Sequence, residues 1–231
     1  MDSIQVFRVH MTESSDPHQE RVLDAARQLG LMLSNADVDQ LLAYLALLQR
    51  WNGTYNLTAV RDPERMLVQH LFDCLAVIAP LRRHLGIARS RRVLDVGSGG
   101  GLPGVVIAAL NPDIDVTCVD TVGKKAAFIQ QVATSLRLRN LHSEHARVES
   151  LKAPPFNVVT SRAFASLADF ATLTRSHLSA DGVWLAMKGK DPVDERAALR
   201  TDVEVFHVEQ LHVPSLDAER CLIWMRPRPS L

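Results

Sequence analysis

Apolar residues recur at helical spacing through roughly the first ninety positions and at strand spacing after them. Val22, Leu23, Ala26 and Leu29 predict a helix from Pro17 to about Leu33, ending at Gly30 or shortly after. Ser34 or Asn35 can cap a second helix with Val38, Leu41, Leu42, Leu45 and Leu48 on one face, and Trp51-Asn52-Gly53 is expected to end it. A third should start near Pro63, a residue suited to the first helical turn, and run through Met66, Leu67, His70 and Leu71 to Ile78, with Pro80 stopping it.

Past Arg92 short apolar runs alternate with amphipathic stretches. Strands are expected at Val93–Val96, Ile114–Val119, Leu141–His145, Phe156–Thr160, Val183–Met187, Val203–Val208 and Cys221–Met225. Helices are expected at Leu102–Leu110, Lys124–Leu138, Leu167–Leu178 and from about Pro192 to Arg200. Nearly continuous apolar strands separated by helices describe a parallel sheet covered on both faces, which is a doubly wound, Rossmann-like α/β fold. The last two strands have no long helix between them and suggest an antiparallel edge. The organisation expected is a loose tail at 1–17, a helical cap at 18–90 and the α/β core at 91–231, with no internal repeat.

The strongest local feature runs from Leu94 to Gly104, Leu-Asp-Val-Gly-Ser-Gly-Gly-Gly-Leu-Pro-Gly, between a strand and a helix. Gly99, Gly101 and Gly104 formally satisfy a dinucleotide pattern, but the strand would then end several residues early. The other register puts Asp95 two residues before Gly97, Gly99 and Gly101, with the acid still at the strand end. S-adenosylmethionine carries an ammonium and a sulfonium and no phosphate, so a carboxylate there attracts it and would repel a pyrophosphate. Asp120 ends the second strand and is placed to accept from two ribose hydroxyls, a role that NAD enzymes share. Together the two acids favour the methyl donor.

The nucleophile is narrowed by what is missing. No cysteine lies in the loop after the fourth strand, where carbon-5 pyrimidine methylation needs one. Pro154-Pro155-Phe156 precedes that strand, whereas exocyclic-amine enzymes carry their proline–aromatic run after it. A nucleophile that already owns a lone pair remains, and guanine N7 is one. No catalytic base is then required, and positioning suffices. Arg162 can orient the cofactor or engage RNA. Lys124 and Lys125 sit in a first helical turn, where cations oppose the helix dipole and an anionic ligand would offset them. Lys188 ends the fifth strand, on the rim where ligands bind. His142 and His145 have no cysteine partner and read as non-ligands, so no metal is expected. Trp51 and Tyr55 read as core or cap residues and not as base-stacking platforms.

Composition changes this picture little. Among 231 residues Lys and Arg number 26 and Asp and Glu 26, which argues against a general nucleic-acid coat protein. Between Arg82 and Arg139, however, nine basic residues face four acids, as a local basic surface for one structured RNA site would require. The three cysteines, Cys74, Cys118 and Cys221, form no CxxC pair and read as reduced thiols of a cytoplasmic protein. No apolar run is long enough to span a bilayer, and the N-terminal residues Asp2, Arg8, Glu13 and Asp16 leave no signal-peptide core.

Several segments together resemble a known family. They are Arg50-Trp51-Asn52 with Tyr55-Asn56-Leu57-Thr58, Val68-Gln69-His70 with Asp73, Asp95-Val96-Gly97 through Leu102-Pro103-Gly104, Ser161-Arg162-Ala163-Phe164-Ala165, and Met187-Lys188-Gly189. Over about residues 20–226 the chain resembles the RsmG (GidB) family, bacterial 16S rRNA guanine-N7 methyltransferases. Gln69 stands where a basic residue is expected, and Cys74 where serine is common. The resemblance implies a class I methyltransferase sheet with an N-terminal helical cap and S-adenosylmethionine contacts at Gly97, Leu102, Val148, Glu149 and Arg162. It also implies a basic surface facing 16S rRNA, either in the 30S subunit or in an assembly intermediate, and a cytoplasmic protein expected to be monomeric. The competing readings are a small-molecule methyltransferase and an NAD-binding protein on the same scaffold.

Overall fold

In the computed structural model, residues 17–86, 90–162 and 164–228 are described, so most of the tail expected at 1–17 lies outside them. Four helices come first: α1 (Pro17–Gln28), α2 (Asn35–Tyr55), α3 (Pro63–Met66) and, after a π-helical turn at Leu67–Phe72, α4 (Asp73–Leu85). The core follows as β1 (Arg91–Val96), α5 (Gly104–Leu110), β2 (Ile114–Asp120), α6 (Gly123–Ser135), β3 (Leu141–His145), β4 (Phe156–Ser161), α7 (Leu167–Thr174), β5 (Leu178–Lys188), α8 (Val193–Ala197), β6 (Val203–Leu211) and β7 (Arg220–Pro227). None of the described helices is long and apolar enough to cross a membrane.

The seven strands among the described residues form one sheet in the order β3-β2-β1-β4-β5-β7-β6. Strands β1 to β5 pair in parallel, and β7 inserts antiparallel between β5 and β6. The expected antiparallel edge is present, with β6 outermost. Gly182, just before the strand expected at Val183–Met187, lies inside the longer β5. A Cβ there would stand 2.8 Å from the Phe156 carbonyl oxygen, so the missing side chain lets β5 hug β4 where their register shifts.

The cap helices share one apolar core with a face of the sheet. Val38, Leu41, Leu48, Leu71, Leu75 and Leu81 join Val93, Val116, Val158, Leu185 and Leu222 in a single buried cluster that also takes in α5 and α6. The other face buries Leu94, Val96, Val159, Trp184 and Ile223 against Phe170 of α7.

Several helix ends differ from expectation: α6 stops at Ser135 and not Leu138, α7 stops at Thr174 so that Leu178 opens β5, and two further ends have a visible cause. Ser34 caps α2 through a reciprocal box with Asp37, but α2 continues past Asn52-Gly53 and ends at Asn56, which takes a left-handed conformation at φ 52°. Buried Asn52 instead donates to the Val60 carbonyl at 3.1 Å and accepts from the Thr58 N–H at 2.9 Å, pinning the following loop. Pro80 lies inside α4, which runs on to Leu85 and is followed by Gly86. Proline removes only one helical hydrogen bond, and burial of Ile78, Leu81 and Leu85 on both sides of it carries the helix through.

Candidate active site

The ends of β1, β2 and β4 meet where the winding of the sheet reverses, the place where doubly wound sheets hold ligands. A cavity of about 370 Å³ opens there. It is lined by Gly97, Asp120, Val148 and Glu149, and also by Thr121, Ala146, Arg147, Phe164, Ala165 and Leu173. Of the expected cofactor residues, the structure thus brings four together. Leu102, Gly99 and Gly101 shape the loop beside the cavity without lining it.

The glycine loop is closed on itself. Gly97 and Ser98 donate to the Val119 carbonyl, Gly101 and Leu102 to that of Ser98, Gly99 to Asp120 Oδ2 and Gly104 to Asp95 Oδ2. Gly97, Gly99 and Gly101 all have positive φ, which a side chain would resist. From the cap, Tyr44 donates its hydroxyl proton to the Gly100 carbonyl at 2.6 Å. With six N–H groups already satisfied internally, the loop has little left to cradle a pyrophosphate.

Asp95 is not the ligand-facing carboxylate expected. It has no exposed surface and lines neither this cavity nor the one described below. The pleat of β1 explains this: Val93 and Asp95 point to the face that α5 covers, while Leu94 and Val96 point to the other. Its Oδ2 accepts from Gly104 at 2.9 Å, and its Oδ1 has no partner among the described residues. Burial pushes this carboxyl up to about 7, against the opposing pull of the Gly104 N–H and the more distant Arg162.

The sign of the linkage follows from that shift. The folded state keeps a proton that the unfolded chain releases near pH 4, so stability falls as pH rises from about 4 through 7. Asp95→Asn should flatten the dependence of Tm on pH between about 4 and 7. A variant with an unchanged slope would mean that Asp95 is ionised throughout.

Asp120 is occupied as well. One oxygen accepts from Gly99 and the other from Val122 at 2.8 Å, with Lys125 Nζ 3.8 Å away. Each carboxylate oxygen keeps a further lone pair for a hydroxyl donor. Its first task is to fasten the loop.

A second cavity, of about 360 Å³, lies beyond Arg162. Gln69, His70, Asp73, Arg162, Met187, Lys188, Gly189 and Arg220 line it. Arg162 does not line the first cavity, although Phe164, two residues on, does. The Arg162 guanidinium donates to the Gln69 carbonyl at 3.2 Å and lies 3.4 Å from His70 Nδ1 and 3.6 Å from Asp73 Oδ2. Arg220 donates to the other oxygen of Asp73 at 2.9 Å. Burial raises the Asp73 carboxyl, and the two guanidiniums pull it back. Burial and the nearby guanidinium lower His70 to about 4, so its ring is neutral, and Thr58 Oγ1 sits 2.8 Å from Nε2. Lys188 Nζ is held by both oxygens of Glu195, at 3.0 and 2.9 Å.

His70, Asp73 and Arg220 had been given no role from sequence. The first two stand one turn apart across the π-helical segment, and Arg220 arrives from an antiparallel strand distant in the chain. The spacing Gln69-His70-x-x-Asp73 was the available signal. Nothing in the sequence pointed to Arg220.

The basic stretch from Arg82 to Arg139 does not form one surface. Arg91 and Arg92 begin β1, whereas Lys124 and Lys125 follow the far end of β2, so a full strand length separates them. Arg92 is engaged with Asp115 and the Pro154 carbonyl, and Arg82 with Asn111 and the Leu110 carbonyl. Lys124 is exposed at the start of α6.

Solved structures with this architecture include TrmN from Thermus thermophilus, 16% identical with a TM-score of 0.54 over 70% of this chain and 53% of that one. Coclaurine N-methyltransferase bound to N-methylheliamine and SAH is 12% identical, with a TM-score of 0.52 over 84% and 74%. At such identity the likeness concerns the fold alone, a class I methyltransferase sheet. Sequence relatives are far nearer. Ribosomal RNA small subunit methyltransferase G of Paracidovorax citrulli (strain AAC00-1) is 60% identical over 94% of this chain and 93% of its own length. The protein of that name from Leptothrix cholodnii (strain ATCC 51168 / LMG 8142 / SP-6) is 62% identical over 92% and 97%. The family described as rRNA small subunit methyltransferase G matches residues 37–223, a span holding both cavities and the closed glycine loop, and the chain is a member of that methyltransferase family.

Proposed function

We propose that the protein transfers a methyl group from S-adenosylmethionine to N7 of a guanine in 16S rRNA. The carrying observation is a pair of cavities, one lined by Arg162 and the other by Phe164, two residues on. The first suits the adenosyl end of the methyl donor: apolar walls from Val148, Phe164 and Leu173, an acid at Asp120, and a loop with few N–H groups free for phosphates. When bound there, S-adenosylmethionine supplies an electrophilic methyl on a cationic sulfur.

The second cavity offers cations and only weak bases. Asp73 is held by two guanidiniums, and His70, lowered to about 4, accepts a proton poorly. Such a pocket fits a nucleophile that loses no proton, as guanine N7 does. Arg162 and Arg220 present donors suited to guanine O6 and to phosphate oxygens. Their chief contribution on this reading is to hold the base in line and to exclude water. The substrate is the 16S rRNA of the 30S subunit or an assembly intermediate, met in the cytoplasm by a monomeric enzyme.

In a strain lacking the gene, mass-spectrometric mapping should show one 7-methylguanosine missing from 16S rRNA, and the purified protein with S-adenosylmethionine should restore it. An unchanged modification profile would refute the substrate. Calorimetry with S-adenosylhomocysteine and with NAD tests the cofactor, and tighter binding of NAD would refute that part.

A further inference from the structure

A ladder of four aromatic rings climbs from the core to the surface on the cap side. Tyr44 lies 6.5 Å from Phe128, Phe128 lies 5.5 Å from Trp51, and Trp51 lies 5.1 Å from Tyr55. The first two are buried, Trp51 is half-buried, and Tyr55 is 42% exposed at the last residue of α2. Tyr55 is a residue of the helical cap, as expected, but the packing leaves its ring outside the core.

The ring sits on a stiff support. Asn52 ties the loop after it at Thr58 and Val60, and Asn56 turns the chain away. That loop abuts the second cavity, because Thr58 Oγ1 meets His70, one of its lining residues. Arg50 and Arg61 bound a segment with no acid between them, exposed Asp62 and Glu64 follow it, and exposed Lys124 stands one turn before Phe128, the ring next to Trp51, on α6. Arg61 is steadied by Asn56 Oδ1 at 2.5 Å.

We propose that Tyr55, backed by Trp51, is a stacking platform for an unpaired base of the RNA substrate, with Arg50, Arg61 and Lys124 meeting the neighbouring phosphates. This deepens the rRNA reading and rests on it. A partly exposed ring on a rigid base, near cations in the chain and followed by a loop that reaches a residue of the nucleotide pocket, is an arrangement by which proteins hold single-stranded RNA. The segment from Arg50 to Arg61 carries cations and no acid, which favours phosphate over a basic ribosomal protein, and the test separates the two.

The substrate is 30S subunits from a strain lacking the gene, alongside protein-free 16S rRNA extracted from them. Tyr55→Ala should raise KM for 30S subunits, and Kd for the extracted rRNA in filter binding, by about tenfold or more, the scale of one lost base–aromatic stack. At saturating substrate kcat should stay within about twofold, and Tyr55→Phe should retain wild-type values. Lys124→Gln should weaken binding less and make it shallower in salt by about one unit of slope. Phe206→Ala, an exposed ring on the far edge strand β6, should change nothing. Unaltered KM and Kd in Tyr55→Ala would overturn the platform and leave the rRNA reading standing, as would a defect seen with 30S subunits and absent with protein-free rRNA, which would point to a ribosomal protein. If the wild-type protein methylates neither 30S subunits nor rRNA, the reading beneath falls and the platform with it.

Discussion

Arg162→Ala should lose about a hundredfold or more in kcat/KM for methyl transfer, and Arg162→Lys should recover little of it. The guanidinium meets a carbonyl, the imidazole of His70 and the carboxylate of Asp73 from one planar group. A lysine ammonium cannot reproduce that fork. Removing one positioned donor from the reacting centre costs about 2.7–4 kcal/mol, and about 2.7 kcal/mol already corresponds to a hundredfold. Removal also leaves Asp73, whose side chain is 4% exposed, with Arg220 alone. Activity within tenfold of wild type in Arg162→Ala would show that the second cavity is not where the reacting base is held.

Gly104→Ala should cost about 3 kcal/mol or more, the upper range for overpacking a tight core, and lower Tm by roughly 6–12 °C for a chain of this length. Its Cβ would stand 2.3 Å from Cys118 Sγ and 2.8 Å from Asp95 Oδ2, both buried and both on short side chains that cannot swing aside. Relief requires α5 to back away from β1, which breaks the Gly104–Asp95 hydrogen bond and reopens the glycine loop. S-adenosylhomocysteine binding should therefore weaken together with stability. Gly100→Ala is the contrast. Its new methyl meets the tip of the Leu48 side chain at 2.9 Å, a flexible end that can rotate, so the loss should be much smaller. Equal Tm losses in the two variants would mean that the clash geometry around Gly104 does not govern the loop.

Much of the fold was legible because local chemistry and tertiary packing agree. Ser34 followed by Asp37 marks a helix start wherever it docks. The run from Ile114 to Asp120 can be little but a buried strand, and Leu141–His145 fell where its pattern put it. The glycine loop announced itself by lying between a strand and a helix. Where pattern misled, a tertiary contact had overruled a local preference. Pro80 did not stop α4 because the helix is buried on both sides of it, and Asn52-Gly53 did not end α2 because the Asn52 side chain has partners in the next loop.

The site was half legible. Gly97, Asp120, Val148 and Glu149 do share a cavity, since loops at the ends of adjacent parallel strands are neighbours by construction. Asp95 shows the limit. Its place at the strand end was plain, but which way the pleat turned it was not, and that turn makes it a support for Gly104.

By itself the sequence determined the order of helices and strands, the closed bend after β1 and the family to which the chain belongs, because periodicity, capping and motif spacing are properties of neighbours along the chain. Only the tertiary structure decided that Arg220 joins Arg162 on Asp73, that the basic residues before and after β2 lie at opposite ends of the sheet, and that Tyr55 faces outward. The physical reason is the same in each case. A strand carries the chain across the full depth of the sheet, so closeness in sequence becomes distance in space, and an antiparallel return from residue 220 restores a closeness that no local pattern encodes.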